Sequence, residues 1–259
     1  MSKHNISHAS ELYYGGAYDP VLFGTQQRTG VPMRPVSKIS LGSPVALDAD
    51  GMITGATSTE LPNAGTITYT TADDGSSPID NAATPAPSTI MTEDGSVSVW
   101  ALDVPRNITA TSTTAVADTV FTITGYDVYK QKMVEQFTIA AAGSAAAGKK
   151  AFAYIYSIAI YSAGDITTDT VTVGWGDVLG LPYAITAKSD VMQAWFNDVY
   201  ETTAPTTVAG VTSTATATTG DVRGTIDLNS ALDGSTVVAY VVTNPSSRAL
   251  LLGVDQYSG

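Results

Sequence analysis

The alternation of apolar and polar positions is clearest between residues 149 and 183. Residues 151–162 place bulky side chains at even positions (Phe152, Tyr154, Tyr156, Ile158, Ile160) and mostly small ones at odd positions (Ala151, Ala153, Ser157, Ala159). A strand with one large-residue face and one small-residue face belongs inside a sheet, buried on both sides. After a turn at residues 162–165, Val171, Val173 and Trp175 alternate with Thr170, Thr172 and Gly174. That pattern predicts a half-buried strand forming a hairpin with the first. Glycines on either side of Trp175 let another backbone approach the ring, or bend the strand end.

Upstream, short strands are expected over residues 66–71, 97–104, 107–113, 118–129 and 131–140. Turns at 48–51 and 93–95, a polar loop over 72–87 and Pro105 separate them. In the fourth of these strands the apolar residues move from odd positions (Phe121, Ile123) to even ones (Tyr126, Val128) at Gly125, as a β-bulge would make them do. Met133, Phe137 and Ile139 face one way in the fifth. Downstream, Val191, Met192, Trp195 and Phe196 share a helical face over 189–198, with Ser189 or Asp190 as N-cap, although a strand also fits. A linker then passes into a weak strand near 211–218, followed by strands at 222–228, 236–243 and 248–254.

Residues 1–45 show neither period. Their prolines and glycines surround Tyr13, Tyr14, Tyr18 and Phe23, too many aromatics for a freely disordered tail, which predicts an extended arm ordered by contact. The fold class is therefore all-β: a β-sandwich or jelly-roll-like body over residues 46–259, an extended N-terminal arm over 1–45, and at most one short helix. Residues 206–259 either return to the main sheets or form a small C-terminal lobe. Their few strands cannot bury two faces alone, which favours the return.

Composition narrows the chemistry. The 259 residues are 44% hydrophobic and only 14% charged, enough to bury one large β domain. With no cysteine, disulfides, thiolate metal sites and cysteine nucleophiles are excluded. No apolar run is long enough to span a membrane, and the first ten residues carry no secretory h-region, so synthesis in the cytoplasm without export is expected. The net charge is −12, unevenly spread. Residues 1–40 carry Lys3, Arg28, Arg34 and Lys38 against Glu11 and Asp19, a net of +2, which leaves −14 on the rest. An acidic body argues against nucleic-acid binding, because phosphates need clustered Lys and Arg. The weakly basic arm suits an acidic protein surface.

Reactive patterns are sparse. His4 and His8 both lie in the arm, and no G-x-S-x-G elbow accompanies them. The sequence Asp48-Ala49-Asp50-Gly51 starts like a calcium loop, but Thr59 stands where the bidentate Glu should be. The adjacent acids Asp73-Asp74 and Glu93-Asp94 suit turns better than glycosidase pairs, which act across a cleft. The Gly-rich residues 174–183 match neither phosphate-loop pattern. The expectation is no enzyme, no cofactor and no metal.

Four irregular segments carry a resemblance: residues 100–109 (WALDVPRNIT), 125–133 (GYDVYKQKM), 174–183 (GWGDVLGLPY) and 217–225 (ATTGDVRGT). Together they resemble virion structural proteins of tailed bacteriophages, and within that group the decoration, or cement, proteins that clamp the head. The resemblance implies a non-enzymatic, β-rich protein present in many copies on the outer surface of the capsid. Its partners would be the major capsid protein and other copies of itself, with no nucleic acid and no membrane. It leads us to expect Tyr13, Tyr14, Tyr18 and Phe23 as apolar anchors on the shell, with Arg28 and Arg34 as charged contacts. The alternative is a carbohydrate-binding or adhesin-like β module of a tail or fibre, favoured if aromatics stand exposed in a row. A glycosidase comes third.

Overall fold

A computed structural model describes residues 35–57, 65–70, 86–112, 119–139, 145–162, 170–245 and 247–257. It is all-β and antiparallel, with one short helix among the described residues. An eleven-stranded sheet curls around a first core, and a four-stranded sheet covers a second.

The long strand β5 (Gly95–Ser112) joins the two sides of the first core. Its first half pairs with β4 (Ala86–Thr92) and with β9 (Phe152–Ser162). Its second half pairs with β8 (Ala145–Ala147) and β10 (Thr170–Gly180). The change of neighbours falls around Pro105, whose missing N–H has no ladder bond to lose there. Beyond β9 lie β6 (Thr119–Tyr126) and β7 (Lys132–Ile139), with β3 (Gly65–Thr70) on the other flank of β9. Beside β10 lies β2 (Asp48–Thr57). Phe121, Ile123, Met133, Ile155, Ile158 and Ile160 from the β9 side meet Met52, Ile53, Val171, Val173 and Trp175 from the β10 side.

The end of β10 carries the second core. Residues 178–180 pair with β14 (Gly224–Asp227), and β13 (Thr206–Ala209) lies outside it. Opposite stands the sheet β1–β15–β11–β12, made of Val36–Gly42, Val237–Val242, Val191–Phe196 and Val199–Tyr200. Leu179, Leu181, Ile185 and Ile226 pack there against Ile39, Ala194, Val237, Ala239 and Val241. After residue 205, β13 and β14 join the main sheet and β15 joins the other.

Several local expectations are corrected. β9 and β10 do not form a hairpin, because β5 lies between them. β9 is not buried on both faces: Tyr156 and Tyr161 are 40% and 42% exposed. The bulge expected at Gly125 is on the neighbouring strand. β6 keeps its alternation throughout, while the register to β9 skips Tyr156, so that Ile155 and Ile158 face the same core. Gly125 is required on its own account, since a Cβ there would come within 2.2 Å of the Tyr154 carbonyl oxygen. Pro105 does not end β5. Residues 48–51 are not a free turn but a bulge within β2 opposite Trp175.

Residues 189–198 are not a helix. A 3-10 turn at Lys188–Asp190 leads into β11, closed by the Asp190 carboxylate, which accepts from the N–H groups of Thr186 and Ala187 and from the Thr186 hydroxyl. The reverse exchange occurs at the end of the chain, where Arg248–Leu252 is a helix, α1, capped by the Ser247 hydroxyl. Strand β13 lies before residues 211–218, which are irregular. Residues 36–42, read as part of the arm, are strand β1 on β15.

Candidate functional site

The four segments that carry the resemblance meet around one buried polar junction. Arg106, fully buried, donates from Nε to the Gly176 carbonyl at 2.7 Å and from Nη1 and Nη2 to the Val45 carbonyl at 3.1 Å. Its ion pair with Asp103 closes at 3.1 Å. Burial pulls the guanidinium pKa down, and Asp103 opposes this. Next to it, Asn107 bridges strands by donating to the Gly148 carbonyl and accepting from the Val178 N–H, each at 3.2 Å.

The β6–β7 turn supplies the second half. The Asp127 carboxylate accepts from the N–H groups of Tyr129 and Gln131, both at 2.8 Å, which fixes the turn. Its other oxygen meets Arg223 Nη1 at 2.7 Å, with both side chains buried. Burial pushes the Asp127 carboxyl up, while Arg223 and the two N–H groups pull it back. Arg223 also donates to the Leu181 carbonyl at 3.1 Å and lies 5.2 Å over the Tyr129 ring, whose hydroxyl reaches the Pro182 carbonyl at 2.8 Å.

A buried triad ties the end of the chain to the first core. Lys150 Nζ donates to the carbonyls of Val134, Thr216 and Gln256 at 2.9, 2.8 and 3.1 Å. Asp221 accepts from the N–H groups of Ala151 and Arg223 and from the Gln256 amide. Glu135, inward-facing on β7, accepts from the N–H groups of Lys149 and Lys150. Loss of water dominates its titration, and its pKa is pushed up to about 7.

Above this network opens a cleft of about 700 Å³, formed by the β4–β5 turn, the β6–β7 turn and the last described residues. Tyr126, Tyr129 and Tyr257 line it. Lys130, Lys132 and Arg248 line it together with Glu93, Asp94 and Asp255. A second groove, of about 470 Å³, runs between β11, β12 and β13 and is lined by Met192, Tyr200 and Thr206, among others. Met192 and Tyr200 are 57% and 44% exposed, and the neighbouring Val199 and Val208 are 67% and 51% exposed. This is the apolar margin of both sheets.

Comparison of the chain with protein-family models, curated proteins and solved structures found no match.

The residues expected to contact a shell, Tyr13, Tyr14, Tyr18, Phe23, Arg28 and Arg34, lie outside the described residues, as do His4, His8 and Asp73-Asp74. No group of three or more His, Asp or Glu able to hold a metal occurs among the described residues. Trp100 and Trp175 are core residues, with Trp175 Nε1 donating to the Ala46 carbonyl at 3.1 Å. Trp195 is half-buried, its ring edge-on to Tyr200 at 5.7 Å. Sequence reasoning missed the cleft tyrosines and the Glu135–Lys150–Asp221 triad. One signal was legible: Glu135 occupies an inward position between Met133 and Phe137.

Proposed function

We propose that the protein is a non-enzymatic structural protein of a tailed-phage head, a cement protein that binds and stabilises the major capsid protein shell. The observation that carries this reading is the convergence of the four resembling segments. Arg106 from the first bonds Gly176 of the third, and Asp127 of the second pairs with Arg223 of the fourth, which bonds Leu181 of the third. Segments far apart in sequence form one interlocked framework, so the resemblance concerns a scaffold rather than scattered strings. A scaffold signature without a catalytic pattern suits a protein whose work is to hold a surface.

Two features supply that surface. The residues preceding β1 carry the apolar anchors and cations of the arm, and β1 itself is an edge strand of the four-stranded sheet. The exposed apolar residues along β12 and β13 lie at sheet margins, where unpaired backbone and side chains invite another chain. Docking repeated by capsid symmetry needs only modest affinity per copy. The adhesin-like alternative is weakened in its simplest form, because Trp100 and Trp175 are buried and form no exposed platform.

The test uses heads lacking this protein, incubated with the full chain, with a chain lacking residues 1–34, and with Met192→Asp/Val199→Asp. Sedimented heads are imaged and the copies per head counted. Full occupancy by the intact chain and reduced occupancy by both variants is the expected result. Normal decoration by the truncated chain refutes the role of the arm. No binding by the intact chain refutes the reading altogether.

A further inference from the structure

The 700 Å³ cleft has a composition that a scaffold does not require. The solvent-facing cations of the described residues are Lys38, Lys130, Lys132, Lys149, Lys188 and Arg248, and three of these six line this one cleft. Facing them are three carboxylates, from Glu93, Asp94 and Asp255, so the lining is close to neutral although the body is strongly acidic. Tyr126, Tyr129 and Tyr257 add three phenol rings. Burial raises the Tyr126 pKa, with Tyr156 and Asp94 adding to the effect.

Gln131 and Gln256 line the cleft, with Gln131 Oε1 and Gln256 Oε1 buried behind its surface and without a hydrogen-bond partner among the described residues. Gln256 is 1% exposed and held by its amide on Asp221. An inorganic anion would meet three carboxylates as well as the cations. An apolar ligand would leave the cations and carboxylates unpaired. A polyhydroxylated molecule can donate to the carboxylates, accept from the lysines and Arg248, and lay its C–H faces on the tyrosine rings. The volume lies within the range of roughly 300–1,000 Å³ usual for small-molecule sites.

We infer that this cleft is a saccharide-binding site, and that it takes a short, uncharged oligosaccharide. Its walls are fixed by the buried network beneath: Asp127 shapes the β6–β7 turn, and Lys150 and Asp221 hold the segment carrying Gln256. The site is thus assembled before any ligand arrives, which lowers the entropic cost of binding. Head docking, assigned to the arm and the β12–β13 margin, uses other residues.

The experiment is a screen of the full chain on immobilised neutral and uronate-containing oligosaccharides, followed by titration of the best neutral binder. Tyr126→Ala and Arg248→Ala are compared with Tyr161→Ala, an exposed tyrosine that does not line the cleft. We expect a neutral saccharide to be retained, its affinity to fall about tenfold or more in the first two variants, and Tyr161→Ala to bind normally. Melting temperatures of all three should stay near the parent value. Retention of no saccharide, retention of uronates alone, or unchanged affinity in both cleft variants overturns the assignment.

Discussion

Glu135 couples the stability of this fold to pH in a way that can be worked out in advance. Its carboxylate is 2% exposed and accepts from two backbone N–H groups, with Lys150 and Asp221 as its charged neighbours. Loss of water outweighs those favourable contacts, and the pKa rises from 4.5 to about 7. The folded state therefore holds this proton more tightly than the unfolded chain does. The associated stability is fully present below pH 4.5 and is lost as pH rises to about 7. The shift corresponds to about 3 kcal/mol. Glu135→Gln keeps an oxygen for the two N–H groups and removes the charge, so its own contribution does not vary with pH. The stability difference between variant and parent should move in the variant's favour by about 3 kcal/mol between pH 4.5 and pH 8. In melting temperature that is roughly 6–12 °C for a chain of this size. Urea unfolding of both proteins across the range measures it, and titrating groups that do not interact with Glu135 cancel in the difference. A difference that stays constant, or that moves in the parent's favour as pH rises, refutes the assignment of a raised pKa to Glu135.

Two further perturbations test the framework. Lys150→Met strands three carbonyls and leaves Glu135 and Asp221 without their cation, so a loss on the order of 3–5 kcal/mol is expected. Hydrogen exchange should then quicken first around residues 215–221 and 254–257 rather than in β6 and β9. Gly174→Ala would set a Cβ 1.8 Å from the Asp48 carbonyl oxygen, backbone against backbone, and should cost at least ~1–3 kcal/mol. Gly220→Ala, whose added methyl meets nothing closer than 3.7 Å, should change stability by less than ~0.5 kcal/mol, and chemical denaturation compares the two.

The division between what was legible in the chain and what was not follows the range of the forces involved. Period-two alternation is a local property, and it was enough to establish an all-β protein and to place Phe121, Ile123, Met133, Val171, Val173 and Trp175 inside it. The glycines beside Trp175 read as allowing another backbone to approach its ring or as bending the strand end; in the structure Gly51 approaches the ring, and Gly174 admits the Asp48 backbone. Short segments with mixed signals were not readable. Residues 191–196 fit a helical face as well as a strand, and pairing with β15 decided for the strand. Residues 248–252 looked extended, and the Ser247 cap made them a helix.

Partner choice lay beyond the sequence altogether. The two strongest strands suggested a hairpin, yet β5 entered between them, because strand order depends on which faces can be covered across the whole chain. The bulge signal at Gly125 was real but belonged to the strand beside it, since register is a property of a pair. The same holds for function. Composition and resemblance pointed to a binding protein without reactive chemistry. Only the fold could bring the β4–β5 turn, the β6–β7 turn and the last residues to one cleft, and bury Glu135, Lys150 and Asp221 beneath it. A carboxylate's neighbours, and hence its proton affinity, are fixed by tertiary contact, whereas the strand that carries it is fixed by the residues on either side.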